Sequence, residues 1–196
     1  MEIHCAPVQR PFAVVVAACK ATRGIGVKGG LPWRLRGDMA YFKQLSRSTA
    51  DPCKRNAVIM GRKTWQSIPS KFRPLDDRVN VVLSRTPAAK QELALPDGVV
   101  LAESLEGALA LLGAGTELGA SVESVFVIGG GAVYTEAMKL RQSCAKIYLT
   151  EVTQLAPPAE AEVPSENQSE NGAAAAAPAA ECGGAAGPFG CDAFFP

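Results

Sequence analysis

The chain has 196 residues, a formal net charge of +1 and six cysteines, and 47% of its residues are hydrophobic. This length fits roughly one domain, and such a balanced charge creates no broad field that would attract nucleic acid or a membrane. The cysteines form no CxxC pair, and the single histidine is His4, near the N-terminus. The sequence therefore indicates neither a metal site nor a disulfide framework, and we expect a reducing, cytoplasmic location.

Apolar runs alternate with amphipathic segments along most of the chain. The run that starts at Phe12 could pass for part of a signal peptide, but its valines and the flanking Pro11 and Gly24 favour a buried strand. Strands that alternate with helices indicate an α/β sheet with parallel pairs. In chain order we predict a strand over 12–18, a Gly-rich loop over 24–33, a helix over 38–46, strands over 56–60, 80–83 and 99–101, a helix over 104–112, a strand over 124–128, a helix over 132–139 and a strand over 147–152.

A change of composition divides the chain after residue 153. Residues 154–188 contain Pro-Pro, a polar patch and an alanine run between Gly-rich segments. Such a composition cannot bury enough apolar surface to offset the entropy of ordering the chain. We therefore predict one domain over 1–153, a disordered low-complexity insertion over 154–188, and a return to the domain over 189–196.

One carboxylate is a candidate for catalysis. A helix that starts near Arg36 turns Asp38, Met39, Phe42 and Leu45 toward one side. An acid on an apolar face costs free energy unless it is paired, hydrogen-bonded or protonated, and such acids occur at functional sites. The alternative is a first-turn acid that the helix dipole stabilises.

Three strand ends carry residues suited to phosphate. Gly61-Arg62-Lys63-Thr64 and Ser84-Arg85-Thr86 supply cations and hydroxyls, and 129–131 is a triple glycine before a helix. Because ligands bind α/β sheets at these ends, the three segments together predict a phosphorylated dinucleotide. Each could instead be an ordinary turn. Residues 24–29 also match GxGxxG, but no helix follows directly, so we interpret them as a loop over a site.

The combined motifs resemble those of dihydrofolate reductases, in particular the reductase half of protozoan bifunctional dihydrofolate reductase–thymidylate synthases. The resemblance covers about residues 11–153 and the last few residues. The matching segments are Gly24-Ile25-Gly26, Leu31-Pro32-Trp33, Asp38 to Phe42, Val58 to Trp65, Ser67-Ile68-Pro69, Phe72 to Leu75, Val82 to Arg85, Val127 to Gly131, Tyr134, and Asp192 to Pro196.

The resemblance implies a central mixed, mostly parallel sheet flanked by helices, and reduction of dihydrofolate to tetrahydrofolate by NADPH for one-carbon metabolism. It places Asp38 as the acid that holds the pterin and favours its protonation, with Thr150 bonded to the same acid or its water. It implies antifolates as further ligands and no nucleic acid, membrane or metal partner. A fused thymidylate synthase domain is also expected.

The remaining site residues follow from the same resemblance. Arg78 matches the arginine that takes the glutamate carboxylate of the substrate. The implied substrate-binding residues are Val16, Ala18, Asp38, Met39, Phe42, Ser67, Ile68, Pro69, Leu75, Arg78, Ile128, Tyr134 and Thr150. The implied cofactor-binding residues are Ala18, Ile25, Gly26, Arg62, Lys63, Thr64, Leu83, Ser84, Arg85, Gly130, Gly131, Ala132, Val133 and Tyr134.

The chain also departs from the family pattern. The 154–188 insertion separates segments that are adjacent in most relatives, Ala193 replaces a small hydroxyl residue, and Glu103 stands where some relatives carry an arginine. The family continues with two more strands after the motif that ends at Pro196, so we expect those strands to be missing here. Two alternatives follow: a poorly folded, non-catalytic fragment, and a related pterin or flavin reductase, against which Asp38 and Arg78 argue.

Overall fold

A computed structural model describes residues 10–86, 88–153 and 189–196. Strands and helices alternate along these ranges, as the sequence predicts. The strands are β1 (Phe12–Cys19), β2 (Gly24–Gly26), β3 (Arg55–Gly61), β4 (Arg78–Leu83), β5 (Val100–Ala102), β6 (Val122–Val127), β7 (Cys144–Val152) and β8 (Ala193–Phe194). The helices are α1 (Arg36–Arg47), α2 (Arg62–Ser67), α3 (Ala89–Glu92), α4 (Leu105–Leu111), α5 (Glu117–Ala120) and α6 (Gly131–Lys139), with a short 3-10 turn at Ser70–Phe72.

A six-stranded sheet in the order β5-β4-β3-β6-β1-β7 forms the centre of the fold. All neighbouring strands in this sheet run parallel. Parallel sheets are covered on both faces, which explains why β3 and β4 are apolar and buried along almost their whole length. The predicted α/β fold, with a mostly parallel sheet flanked by helices, is confirmed.

Two apolar clusters cover the two faces of this sheet. On one face, α4 and α6 pack on the side chains of Phe12, Val14 and Val16. On the other face, Trp65 of α2 and Leu45 of α1 pack with side chains of β3, β4 and β6. Because successive side chains of a strand point to opposite faces, β1 contributes alternate residues to each cluster. This alternation decides which β1 side chains can approach α1.

Side-chain hydroxyls cap two of the helices. The Ser104 hydroxyl accepts a hydrogen bond from the Gly107 N–H at 3.1 Å and begins α4. Thr116 caps α5 in the same way through the Gly119 N–H at 2.8 Å. A hydroxyl at this position satisfies one of the backbone donors that a helix start leaves unpaired.

The prediction of an irregular loop over 24–33 is wrong at its beginning. Residues Gly24–Gly26 form β2, which pairs antiparallel with β8. The partner strand lies far along the chain, so no local pattern could reveal the pairing. The predicted disordered insertion over 154–188 lies outside the described residues.

Strand β7 is an edge of the sheet in the part of the chain that the structure describes. Its side chains Ile147 and Leu149 are 47% and 50% exposed. Among the described residues, no helix has the length and apolar character needed to span a membrane.

Candidate functional site

The predicted acid Asp38 lies in the first turn of α1 and is half-buried. The hydroxyl of Thr150, on β7, donates a hydrogen bond to Asp38 Oδ1 at 2.7 Å. The contact joins α1 to the edge strand and fixes the orientation of one carboxylate oxygen. The predicted pairing of these two residues is therefore present, and the dipole of α1 favours the same charge.

A buried cation, Arg78, lies beside the opposite end of α1. Arg78 begins β4 and is only 7% exposed. Its Nη1 donates to the Ser46 hydroxyl at 2.7 Å, its Nε donates to the Asp76 carbonyl at 2.9 Å, and its guanidinium lies 5.8 Å from the Phe42 ring centroid. Burial lowers the pKa of Arg78, but a guanidinium stays charged at neutral pH. The remaining donors of this fork suit a carboxylate.

The loop beside this cation is held by Asn80. The Asn80 side chain accepts from the Leu75 N–H and donates to the Leu75 carbonyl, each at 2.9 Å. Leu75, Ile68 and Ile128 pack at the border of the apolar cluster that covers the α1 face of the sheet. An apolar wall thus lies on the face of the sheet that carries Phe42 and the acid. Of the other predicted contact residues, Met39 is 49% exposed, and Ser67, the last residue of α2, and Pro69 are also exposed.

Register shows which β1 side chain faces the acid. Ala17 pairs with Thr150, whereas Val16 pairs with Leu149 and Ala18 with Glu151. Paired residues of parallel strands share a face, so Ala17 is the β1 side chain on the side of Asp38. The side chains of Val16 and Ala18 lie in the core cluster on the other face. If Val16 and Ala18 contact a ligand on the face of the sheet that carries Asp38, as predicted, they must do so through backbone atoms.

A second site lies at the carboxyl ends of β3, β4 and β6. It is a cavity of about 600 Å³ that holds most of the predicted cofactor residues. The cavity is lined by Gly61, Arg62, Lys63, Thr64, Leu83, Ser84, Arg85, Thr86, Glu103, Gly130, Gly131, Ala132, Val133, Glu136, Ala193 and Phe194. Three cations and two acids thus face one cavity.

Two helix starts meet at this cavity. The N–H of Gly61, directly before α2, donates to the carbonyl of Gly129, two residues before α6, at 2.7 Å. A Cβ at Gly130 would lie 3.3 Å from the Thr64 hydroxyl, and Gly129 has a φ of +116°. The backbone conformation of Gly129 favours glycine, and a side chain at Gly130 would crowd Thr64. The first N–H groups of a helix have no partner within the helix, and here they lie beside the cations. The residues present therefore fit the diphosphate of a dinucleotide.

Comparison with known proteins agrees with this geometry. The dihydrofolate reductase family model matches residues 12–180. The chain belongs to the dihydrofolate reductase family. It is 43% identical over 143 residues to the dihydrofolate reductase of Drosophila melanogaster, which covers 73% of this chain and 74% of that protein. It is 44% identical over 145 residues to the Candida albicans dihydrofolate reductase, with 74% and 70% covered.

Longer relatives carry the family sequence within a bifunctional protein. The chain is 51% identical over 144 residues to the bifunctional dihydrofolate reductase-thymidylate synthase of Daucus carota. The match covers 74% of this chain and 26% of that protein, so the chain spans about a quarter of the plant enzyme's length. The family expectation is confirmed, while the expected proximity to protozoan enzymes stays a prediction.

In this dihydrofolate reductase fold, Tyr134 joins α6, whose first turn lines the cavity, to the sheet. Its hydroxyl donates to the Val15 carbonyl at 2.8 Å, and its ring meets the Phe195 ring edge to face at 5.3 Å. Burial raises the pKa of the Tyr134 hydroxyl well above its ordinary value, so this group is a fixed donor. Ile25 also reaches this region, because a Cβ at Gly131 would lie 4.0 Å from its Cδ1. Ala18, Ile25, Gly26 and Tyr134 lie outside the lining of the cavity itself.

The residue predictions did not include several residues that the structure places at these two sites. Asn80 is a buried polar residue between Val79 and Val81, a signal that was available in the sequence, whereas Ser46 is buried beside Leu45 and Arg47 and had no such signal. Glu136, Ala193 and Phe194 line the cofactor cavity without any local signal. The last two reach it only because β8 pairs with β2.

Proposed function

We propose that this chain reduces 7,8-dihydrofolate to 5,6,7,8-tetrahydrofolate with NADPH. The observation that carries the proposal is the placement of opposite charges along α1. Asp38 and the Ser46 contact of Arg78 are eight residues apart, about 12 Å at the rise of an α-helix. A substrate with a hydrogen-bonding ring at one end and a carboxylate at the other matches that spacing.

The chain's own residues supply distinct parts of this chemistry. Asp38, oriented by Thr150, accepts hydrogen bonds from the ring and favours protonation of the ring nitrogen. Arg78 binds the distal carboxylate, and the apolar wall between them excludes water from the spacer. NADPH, when bound, supplies the hydride.

The cofactor preference follows from the cations at the cavity. Arg62, Ser84 and Arg85 lie at strand ends where a ribose phosphate would bind. Each charge-assisted hydrogen bond contributes roughly 1.5–3 kcal/mol, so loss of Arg85 costs about 10- to 100-fold in kcat/KM for NADPH. NADH, which lacks that phosphate, should lose less than about twofold.

The test measures NADPH oxidation with dihydrofolate as acceptor. Wild type, Asp38→Asn, Arg85→Ala and the exposed control Arg141→Ala are compared with NADPH and with NADH. We expect Asp38→Asn to lose turnover but retain NADPH binding, and Arg85→Ala to lose the preference for NADPH. Absence of dihydrofolate reduction by the wild-type chain would contradict the activity. Equal losses with both cofactors in Arg85→Ala would contradict the role of Arg85.

Three wider expectations belong to the same proposal. The names of the plant relatives support a reductase that is one part of a bifunctional enzyme with thymidylate synthase. The mass of the native protein, detected with an antibody against this chain, tests that idea. Antifolates should compete with dihydrofolate at Asp38. A cytoplasmic location is supported by the unpaired cysteines Cys19, Cys53, Cys144 and Cys191, and cell fractionation tests it.

A further inference from the structure

Two cysteines lie on either side of the turn between β1 and β2. Cys19 ends β1, and its carbonyl accepts a hydrogen bond from the Arg23 N–H at 2.8 Å, which closes the turn. Cys191 lies against Gly24, the residue that follows this turn. A Cβ built on Gly24 would be 2.4 Å from both the Cβ and the Sγ of Cys191. Both residues are buried, with 2% and 6% exposure.

Backbone hydrogen bonds hold the segment that carries Cys191 beside this turn. The Asp192 N–H donates to the Gly26 carbonyl, and the Phe195 N–H donates to the Arg23 carbonyl, each at 2.9 Å. The segment also supplies Ala193 and Phe194 to the cofactor cavity. A covalent bond near Cys191 would therefore fix one wall of that cavity.

The surroundings of the two thiols differ. The Thr22 hydroxyl, and the N–H groups of Thr22 and Ala21, lower the pKa of Cys19 against the opposing effect of burial. Burial raises the pKa of Cys191, and the nearby Cys19 charge raises it further. Cys19 is thus the better nucleophile, and Cys191 is the neutral thiol that follows.

We propose that Cys19 and Cys191 form a reversible, peroxide-generated disulfide that ties residues 189–196 to the end of β1. The Cys19 thiolate attacks hydrogen peroxide, forming a sulfenic acid and releasing hydroxide. The Cys191 sulfur then attacks the Cys19 sulfur, and its proton leaves with the sulfenic hydroxyl as water. The peroxide gains two electrons and the two thiols lose two. Burial favours a small oxidant, and a thiol reductant reverses the step.

The first test maps the product in the full chain. The reduced protein is treated with hydrogen peroxide, alkylated, digested and analysed by mass spectrometry. We expect a linked peptide pair containing Cys19 and Cys191, lighter than the two separate thiol peptides by two hydrogens, about 2 Da, and lost again on reduction. The link should persist in Cys53→Ser, the exposed control, and vanish in Cys191→Ser.

The second test is thermal unfolding, which a link of these two segments should shift. Oxidation should raise the Tm of wild type and of Cys53→Ser by roughly 5–10 °C, and leave Cys191→Ser unchanged. Addition of oxygen to Cys19 without a link, pairing of either thiol with another cysteine, or an equal Tm rise in Cys191→Ser would each overturn the proposal. The mapping in wild type needs no variant, so a variant that does not fold leaves the test intact.

Discussion

Removal of the Thr150 hydroxyl tests the acid site most directly. Valine keeps the shape of threonine but cannot donate to Asp38 Oδ1, which the hydroxyl contacts at 2.7 Å. A hydrogen bond to a charged group contributes about 1.5–3 kcal/mol. Because this contact is only partly buried, water replaces some of it, and we expect a loss of roughly 1–2 kcal/mol. That corresponds to about a 5- to 30-fold fall in kcat/KM for dihydrofolate.

The assay is NADPH oxidation by wild type, Thr150→Val, the hydroxyl-retaining control Thr150→Ser, Asp38→Asn and the double variant Asp38→Asn/Thr150→Val. Thr150→Ser should lose less than about threefold, and Asp38→Asn about 10²- to 10⁴-fold. In the Asp38→Asn background, the valine substitution should cost less than about twofold, because the two residues act through one contact. An unchanged valine penalty in that background would refute the reasoning, as would full activity of Thr150→Val at an unchanged Tm.

Three further predictions concern other charges and thiols. Glu103→Gln removes an acid from the cofactor cavity, so the ratio of NADPH to NADH kcat/KM should rise by up to about fivefold; a fall in that ratio would contradict the prediction. The N–H groups of Asp51 and Ala50 lower the pKa of Glu123 in the folded protein. The Glu123 carboxylate therefore stabilises the fold at a pH above the ordinary pKa of a glutamate, and this stabilisation is lost as the pH falls through the lowered pKa. Urea unfolding should therefore show Glu123→Gln less stable than wild type at pH 7, with the difference shrinking in acid, whereas a constant difference would contradict the linkage. Thr22→Val should raise the pKa of Cys19 and slow its oxidation by peroxide at neutral pH, as alkylation kinetics would measure, with equal rates counting against the thiolate.

Local signals predicted the parts of this fold that local contacts stabilise. The Ser104 cap and the helix after it could be predicted because a side chain three residues from its backbone partner leaves a sequence pattern. The parallel character of the sheet also followed, since its strands alternate with helices along the chain. β2 was not predictable, because its partner β8 lies far along the chain: Gly24 pairs with Phe194, 170 residues later.

The candidate site shows the same difference between local and distant contacts. Helix periodicity singled out Asp38, but its partner Thr150 came only from the resemblance, since nothing near Asp38 in the chain indicates β7. Register between β1 and β7 then identified Ala17, which the motifs had passed over. In an apolar run whose residues are all small or branched, the sequence does not show which alternate residues point to which face of the sheet.

The position of β1 in the sheet has a consequence for synthesis of the chain. Its neighbours are β6 and β7, so this valine-rich strand has no sheet partner among the described strands until residues 122–127 have left the ribosome. At the usual rate of about 5–20 residues per second, that wait lasts on the order of 5–20 s. During this interval β3 and β4 can pair with each other, but β1 remains an exposed apolar segment. The nascent protein should therefore depend on chaperones chiefly before β6 is made. A shorter interval between the synthesis of β1 and that of β6 should reduce aggregation more than a mutation that stabilises the folded protein.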